Sequence, residues 1–195
     1  MKKLKVLLVT TFAIASISVV NAQEQRYELK SAIIKMDMVT QGIKMSAVQY
    51  FDDYGKKEAG LGEADMAGTK VQVKSLQFGD TVYSINLAQK VGQKVVLPDP
   101  PVNYTALTPE IIDKYKIKEV GDETIVGKPC KKYTLQMEQM GQIINCEVSV
   151  WNGITLRSVT KLGMIEYQNQ VATEIQENVE VEPSVFEIPE GVVIM

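Results

Sequence analysis

The chain has 195 residues, of which 21 are Lys or Arg, 24 are Asp or Glu, two are Cys and none is His. This length predicts a single domain, and a hydrophobic content of 45% is typical of a globular chain that can bury a core. The absence of His excludes the Ser-His-Asp and Cys-His nucleophile systems, the HExxH zinc site and the commonest general base near neutral pH. We therefore expect a protein that is not an enzyme and that has no cofactor.

The first 22 residues have the three regions of a secretory signal peptide. Met1–Lys5 is basic, Val6–Val20 is apolar, and Asn21-Ala22 supplies small residues at a cleavage position. The apolar run is interrupted by Thr and Ser and is shorter than the roughly 20 residues that a membrane span needs. We expect cleavage after Ala22, leaving a single domain over residues 23–195 that is periplasmic or secreted and has no stable membrane span.

The net charge of the mature chain argues against two kinds of partner, nucleic acids and anionic membrane surfaces. Removing Lys2, Lys3 and Lys5 from the 21 basic residues leaves 18 against 24 acids, a net charge of −6. Nucleic acids and anionic membrane surfaces are bound through basic patches. We therefore expect neither as a primary partner.

The first half of the mature chain alternates apolar and polar residues between Gly-containing turns. Two runs, 34–38 and 43–51, lie on either side of Gln41-Gly42 and predict a hairpin. A weaker edge segment punctuated by Gly60, Gly62 and Gly68 follows. Three further short strands are predicted over 71–78, 81–87 and 91–97.

One helix is predicted in the mature chain. The proline-rich stretch 98–101 cannot continue a strand ladder, because proline lacks the backbone donor. Thr108 is a typical N-cap, Pro109 suits the first helical position, and Glu110 places an acid at the positive end of the dipole. We predict a helix from Pro109 to about Tyr115. Its apolar face comprises Ile111, Ile112 and Tyr115.

The second half of the chain again reads as successive strands, which are predicted over 117–126, 131–139, 142–151, 154–162 and 164–176. About ten strands joined by short turns require antiparallel neighbours, because parallel pairs need long crossovers. The predicted fold class is therefore α+β, with one large antiparallel sheet and one main helix. So many strands curl or split, which leaves a curved half-barrel, a closed barrel or a sandwich open.

Two pairs of adjacent acids are possible metal or acid-base sites. Asp52-Asp53 and Asp122-Glu123 both lie beside Gly in turns, where acidic residues are expected in any case. Neighbours in a strand also point to opposite faces. We therefore predict no metal site and no catalytic residue.

The two cysteines, Cys130 and Cys146, would ordinarily form a disulfide in a secreted chain. A tight turn at Met140-Gly141 is predicted, however, and its register places Cys146 opposite Leu135. Cys130 then lies opposite Trp151, and at about 3.3 Å per residue the two sulfurs are too far apart to bond. A bulge or a wider loop would still allow the bond, so the pairing stays open, with the register favouring free thiols.

An apolar cavity is the candidate site. Apolar side chains recur on one side of successive predicted strands, and the short helix can cover only part of so wide a sheet. Methionine both fills irregular cores and lines apolar pockets, so tight packing of the same residues is the alternative. The candidate residues are Ile34, Met36, Met38, Met45, Phe51, Leu135, Met137, Val148 and Val150 in strands, with Ile111, Ile112 and Tyr115 in the helix.

Three segments, taken in order, resemble the superfamily of periplasmic lipoprotein-localisation carriers, LolA and LolB. They are Thr124–Tyr133, Val150–Arg157 with its W-x-G-I-x-L turn, and Asn178–Pro189, which carries Phe186. The resemblance implies an unclosed, strongly curved antiparallel sheet with a helix on its concave face and a Phe tucked under the sheet. It also implies a hydrophobic cavity for acyl chains.

The expected function is non-catalytic binding of a lipid, a lipoprotein acyl chain or another apolar ligand in the cell envelope. Its possible partners are lipids or acylated proteins. The alternative is a structural or protein-interaction module whose core is filled by its own side chains.

Overall fold

The computed structural model describes residues 25–66, 68–99, 101–139 and 141–195, so the predicted signal peptide lies outside the described residues. The chain forms twelve strands in one sheet, with a single α-helix, α1 (Pro109–Tyr115), in the described part. The strands are β1 (Ala32–Thr40), β2 (Ile43–Asp52), β3 (Lys57–Met66), β4 (Thr69–Phe78), β5 (Thr81–Asn86), β6 (Val91–Val96), β7 (Lys118–Ile125), β8 (Lys128–Gln139), β9 (Gln142–Trp151), β10 (Ile154–Leu162), β11 (Ile165–Glu177) and β12 (Val193–Ile194).

The predicted α+β class is wrong, because the fold is almost entirely sheet. The helix begins at Pro109 behind a Thr108 cap, as predicted, but it has seven residues and none of them is fully buried. An element of two turns cannot form a layer of its own. The strand count is twelve and not about ten, since β12, a two-residue strand parallel to β6, has no alternating pattern in the sequence.

The sheet is a single unclosed layer in the order β12-β6-β5-β4-β3-β2-β1-β11-β10-β9-β8-β7. Strand β1 pairs with both β2 and β11, so it joins two antiparallel meanders side by side. The Gly-punctuated segment predicted as an edge is β3, which pairs on both sides. Its glycines weaken the alternating pattern in the sequence. In the structure, β3 forms backbone hydrogen-bond ladders with β2 on one side and β4 on the other.

The hairpin predicted at Gln41-Gly42 is present. Both residues have positive φ, +51° and +82°. This conformation matches the twist of two antiparallel strands joined by two residues. The resulting register pairs Met38 with Met45 and Ala32 with Phe51.

Two long connections cross the sheet on opposite faces. The first, residues 97–117, is here called the crossover and runs from β6 to β7 at the far edge of the sheet. The second, residues 178–195, runs from β11 in the middle of the sheet to β12 beside β6. Neither connection is long enough to cover a whole face.

The crossover covers one half of what we call the helix face. Its side chains Val102, Tyr104, Leu107, Ile111 and Tyr115 pack on a buried cluster. That cluster consists of Ile117, Tyr133, Leu135, Cys146, Val148 and Val150, most of them from β8 and β9. Through the strand pairs, Val148 lies in the same row and on the same face as Met38 of β1.

The C-terminal segment covers the opposite face over β3–β5. Val181 and Phe186 are buried there against Ala59, Leu76 and Ile85. This is the Phe tucked under the sheet that the family resemblance implied. The crossover therefore packs over β8 and β9 on one face, and the C-terminal segment packs over β3–β5 on the other.

Residues 25–31, which precede β1, link the two meanders through backbone hydrogen bonds at one end of the sheet. The backbone amides of Arg26 and Tyr27 donate to Tyr54 O, and that of Glu28 donates to Asn152 O. Gly153, at φ +82°, permits this approach, because a Cβ there would lie 2.3 Å from Arg26 O. The rings of Tyr27 and Phe51 then pack against each other with centroids 4.5 Å apart and planes tilted by 52°.

The register predicted for the cysteines is confirmed. Leu135 pairs with Cys146 across β8 and β9, and Lys131 pairs with Val150. Cys130 and Cys146 are both buried free thiols. Burial raises the pKa of each thiol. Among the residues that the structure describes, no helix is long and apolar enough to cross a membrane.

We predict that Phe186→Ala lowers the free energy of unfolding by about 3 kcal/mol, because it removes a buried ring and leaves a cavity between the C-terminal segment and β4. Urea denaturation followed by circular dichroism measures the change. Ile188→Ala, at a neighbouring side chain that is 40% exposed, is the control and should cost far less. Equal losses would contradict the anchoring role of Phe186.

We also predict that a thiol reagent modifies both cysteines in denaturant without prior reduction. In the native protein the reaction should be much slower, since burial excludes the reagent and disfavours the thiolate. Mass spectrometry counts the modified thiols. Unreactive cysteines in denaturant that become reactive after reduction would show that a disulfide exists.

Candidate functional site: an open groove on the helix face

The half of the helix face that the crossover leaves open carries a groove of about 410 Å³ over β1–β5. Its walls and floor are mostly apolar. The lining residues are Met36, Met38, Met45, Ala47, Val48, Gln49, Glu58, Ala59, Gly60, Leu61, Gly62, Val73, Ser75, Gln77, Val82 and Gln170.

The floor of the groove is deep because its central residues are small. Ala47 pairs with Gly62, and Gly62 pairs in turn with Val73. A Cβ at Gly62 would meet only Met45 Cε at 3.8 Å and Val73 O at 3.9 Å, which are ordinary contacts. At Gly60, by contrast, a Cβ would lie 2.6 Å from Ser75 Oγ. A Cβ at Gly62 would therefore fit without displacing a neighbour.

The groove changes in polarity along the strand direction. One end, here called the methionine end, consists of Met36, Met38 and Met45. The other end, here called the polar end, consists of Gln49, Glu58, Ser75 and Gln77. Cross-strand pairs fix this order, since Met38 pairs with Met45 and Gln49 pairs with Gly60 beside Ser75.

A buried hydrogen-bonded cluster closes the polar end. The side chain of Glu58 forms an ion pair with Arg26 through Oε1. Its Oε2 accepts from Tyr27 Oη at 2.9 Å and from Gln49 Nε2 at 3.3 Å. The guanidinium of Arg26 also lies 5.3 Å from the centroid of the Tyr27 ring. The carboxylate is thus held by three donors.

Burial dominates the protonation behaviour of this cluster. It raises the pKa of Glu58, although Arg26, Tyr27 and Gln49 each act to lower it. Burial together with the nearby Glu58 carboxylate raises the pKa of Tyr27 above its ordinary range. Tyr27 therefore stays a neutral donor at physiological pH.

A second cavity of about 390 Å³ lies between the crossover and the turn that joins β4 to β5. Arg26, Val102, Ile111 and Tyr115 are among its lining residues. Because Arg26 borders this cavity while its partner Glu58 borders the groove, their ion pair separates the two spaces.

The structure distributes the twelve predicted site residues over four places and brings only some of them together. Met36, Met38 and Met45 line the groove, while Ile34 and Phe51 are buried in the core beside its polar end. Val148 and Val150 lie with Leu135 under the crossover, where Ile111 and Tyr115 pack on them. Met137 and Ile112 are each 37% exposed.

The residues that the sequence did not identify belong to β2–β5. Gln49, Glu58, Ser75 and Gln77 come from three strands that the sheet register brings side by side. Gly62 of β3, which presents no side chain to the groove floor, is the sequence signal that points to this surface. In the described ranges no group of three or more Cys, Asp or Glu side chains is arranged to hold a metal ion.

We predict that Arg26→Met lowers the free energy of unfolding by about 3 kcal/mol near neutral pH, because the Glu58 carboxylate stays buried without its cation. Losing Arg26 raises the pKa of Glu58 further, so the loss should shrink as the pH falls and Glu58 takes up a proton. Urea denaturation over a range of pH measures both effects.

Lys35→Met is the matched control, since Lys35 pairs with Glu174 at 2.7 Å on the exposed surface. An exposed pair is typically worth less than about 1 kcal/mol. A loss for Arg26→Met that is equally small, or that grows towards acidic pH, would contradict a buried ionised pair.

Comparisons with known proteins extend the description of the fold. Neither a protein-family model nor a curated protein matches the sequence. The structure is similar to an uncharacterized conserved protein from Thermus thermophilus, with a TM-score of 0.58 and 8% identity, over 86% of this chain and 91% of that one. It is also similar to the crystal structure of MucB, with a TM-score of 0.53 and 11% identity.

The MucB match covers 86% of this chain and 60% of MucB, so this chain spans less than two thirds of that protein. A putative outer membrane lipoprotein-sorting protein domain from Vibrio parahaemolyticus matches at a TM-score of 0.37 and 14% identity, over 83% of this chain and 91% of that one. At such identities a match concerns the fold alone. The unclosed antiparallel sheet, the capped helix on one face and Phe186 under the other are the structural features that the resemblance noted in the sequence implied.

Proposed function

We propose that this protein is a non-catalytic cell-envelope protein that binds a lipid, a lipoprotein acyl chain or another apolar ligand in the groove. The observation that carries the proposal is the mostly apolar groove on the helix face. There Met36, Met38 and Met45 line one end, and Gly62 presents no side chain to the floor. A face filled by its own side chains would have no such groove.

The size of the groove is adequate for an acyl chain. Its volume of about 410 Å³ lies within the range of roughly 300 to 1,000 Å³ that is typical of small-molecule sites. Burying a methylene contributes about 0.8 kcal/mol, so a chain of about ten methylenes would bind usefully even after ordering costs. Methionine side chains adapt to chains of different shape, which suits a carrier.

The polar groups of the groove support binding rather than catalysis. They are amides, a hydroxyl and Glu58, whose carboxylate oxygens already accept hydrogen bonds from Arg26, Tyr27 and Gln49. A general base needs an oxygen that can reach the substrate proton. The environment of Glu58 instead resembles that of a structural carboxylate.

We predict that Gly62→Ile weakens binding of an apolar ligand at least about tenfold, because the new side chain occupies the open floor of the groove. The substitution should be compatible with folding, since β-branched residues favour strands and the backbone φ at Gly62 is not in the left-handed region. Titration with the uncharged dye Nile red and native mass spectrometry of extracted lipids measure the effect.

Ser46→Ile is the matched control, because Ser46 is an exposed residue of β2 on the opposite face. Met38→Lys, which places a charge at the methionine end, should weaken binding as Gly62→Ile does. If the wild type carries no lipid and binds no apolar probe at micromolar concentration, or if Gly62→Ile has no effect, the groove is not the binding site. The interaction-module alternative would then replace the carrier.

A further inference from the structure

The groove is not uniformly apolar, and its polar end contains the buried side chain of Glu58 together with the exposed hydroxyl of Ser75. Next to that end Ala32, Ile34 and Phe51 are buried, and Glu58 itself is only 8% exposed. At the methionine end Met36 is buried as well, at 5% exposure. A ligand that fills the whole groove would therefore place a polar group beside Gln49, Ser75 and Gln77 and an apolar chain along the three methionines.

The polar end carries little net charge. Glu58 is the sole ionisable side chain among the described lining residues, and its ion pair with Arg26 is neutral as a unit. The other polar lining residues are Gln49, Ser75, Gln77 and Gln170, which are uncharged donors and acceptors. Among the described lining residues, no cation is therefore available to an anionic headgroup, and no anion is available to a cationic one without breaking the Arg26–Glu58 pair.

A charged headgroup would be costly in this position. Transferring an ion out of water without a partner is far more costly than transferring a hydroxyl or an ester that finds hydrogen bonds. A carboxylate would also approach the carboxylate of Glu58. An ammonium group would compete with three donors that already hold Glu58.

We propose that the groove selects acyl ligands whose polar group is uncharged, such as a glyceryl ester, an amide or a hydroxyl. That group binds at Gln49, Ser75 and Gln77, and the chain extends along the three methionines. This inference rests on the proposed function, since it specifies the ligand of the same groove. It assigns the polar end a role in ligand selection in addition to its role in closing one end of the groove.

The test compares three probes with the same dodecyl length, namely 1-monododecanoylglycerol, dodecanoate and dodecylammonium. Each displaces Nile red from the full-length mature protein at about pH 7, where both ions are charged, and below micelle-forming concentrations. The glycerol ester should bind at least about tenfold more tightly than either ion, because the ions lose hydration without gaining a partner.

The double variant Ser75→Ala with Gln77→Leu removes hydrogen-bonding groups of the polar end without touching the partners of Glu58. It should weaken binding of the glycerol ester about fivefold or more, while Nile red binding persists. The control is Gln176→Leu, since Gln176 pairs with Ile33 on the opposite face and is exposed. The control should leave the order of the three probes unchanged.

The outcomes separate the two proposals. If dodecanoate or dodecylammonium binds as tightly as the ester, and Gly62→Ile abolishes that binding, the uncharged-headgroup inference is overturned while the groove remains the site. If the double variant leaves ester binding unchanged, the role of the polar end is overturned. If none of the three probes binds in a manner sensitive to Gly62→Ile, the proposed function fails as well.

Discussion

The position of β1 between β2 and β11 is the constraint on which the rest of the structure depends. Because β1 is the seam between two meanders, the chain leaves the first meander at β6 and must reach β7 at the opposite edge. It must later return from β11 to β12 beside β6. Each passage has to cross a face of the sheet, and each brings apolar side chains to bury there. The buried clusters under the crossover and under Phe186 are the consequence.

The groove follows from the same constraint. A crossover of some twenty residues with a helix of two turns packs over β8 and β9, and it contributes no residue to the described lining of the groove on β1–β5. A soluble protein rarely exposes a large continuous apolar surface without a use for it. Here glutamines and a serine line one end of the groove and methionines line the other. This arrangement matches a ligand with one polar and one apolar end. Small residues in β3 deepen the groove further.

The Arg26–Glu58 pair links the architecture to the site. The segment containing Arg26 fastens the ends of both meanders through Tyr54 and Asn152, and it carries Tyr27 against Phe51. The same segment supplies two of the three donors to Glu58. A buried ion pair is seldom a large net source of stability, but removing one partner is costly. The pair therefore forms the boundary of the groove at its polar end. It also separates the groove from the second cavity.

The sequence by itself determined the local features, because those depend on short-range chemistry. Thr108-Pro109 starts the helix, Gln41-Gly42 makes the first hairpin, and the register predicted between β8 and β9 keeps Cys130 and Cys146 apart. The tertiary structure alone decided which strands became neighbours and which face each connection covers. It also decided that Met38 lines a groove while Val148, in the same row of the sheet, lies in a core. Alternation assigns a residue to a face but does not tell whether another segment covers that face. Covering depends on contacts between residues far apart in the chain, and no local pattern encodes them.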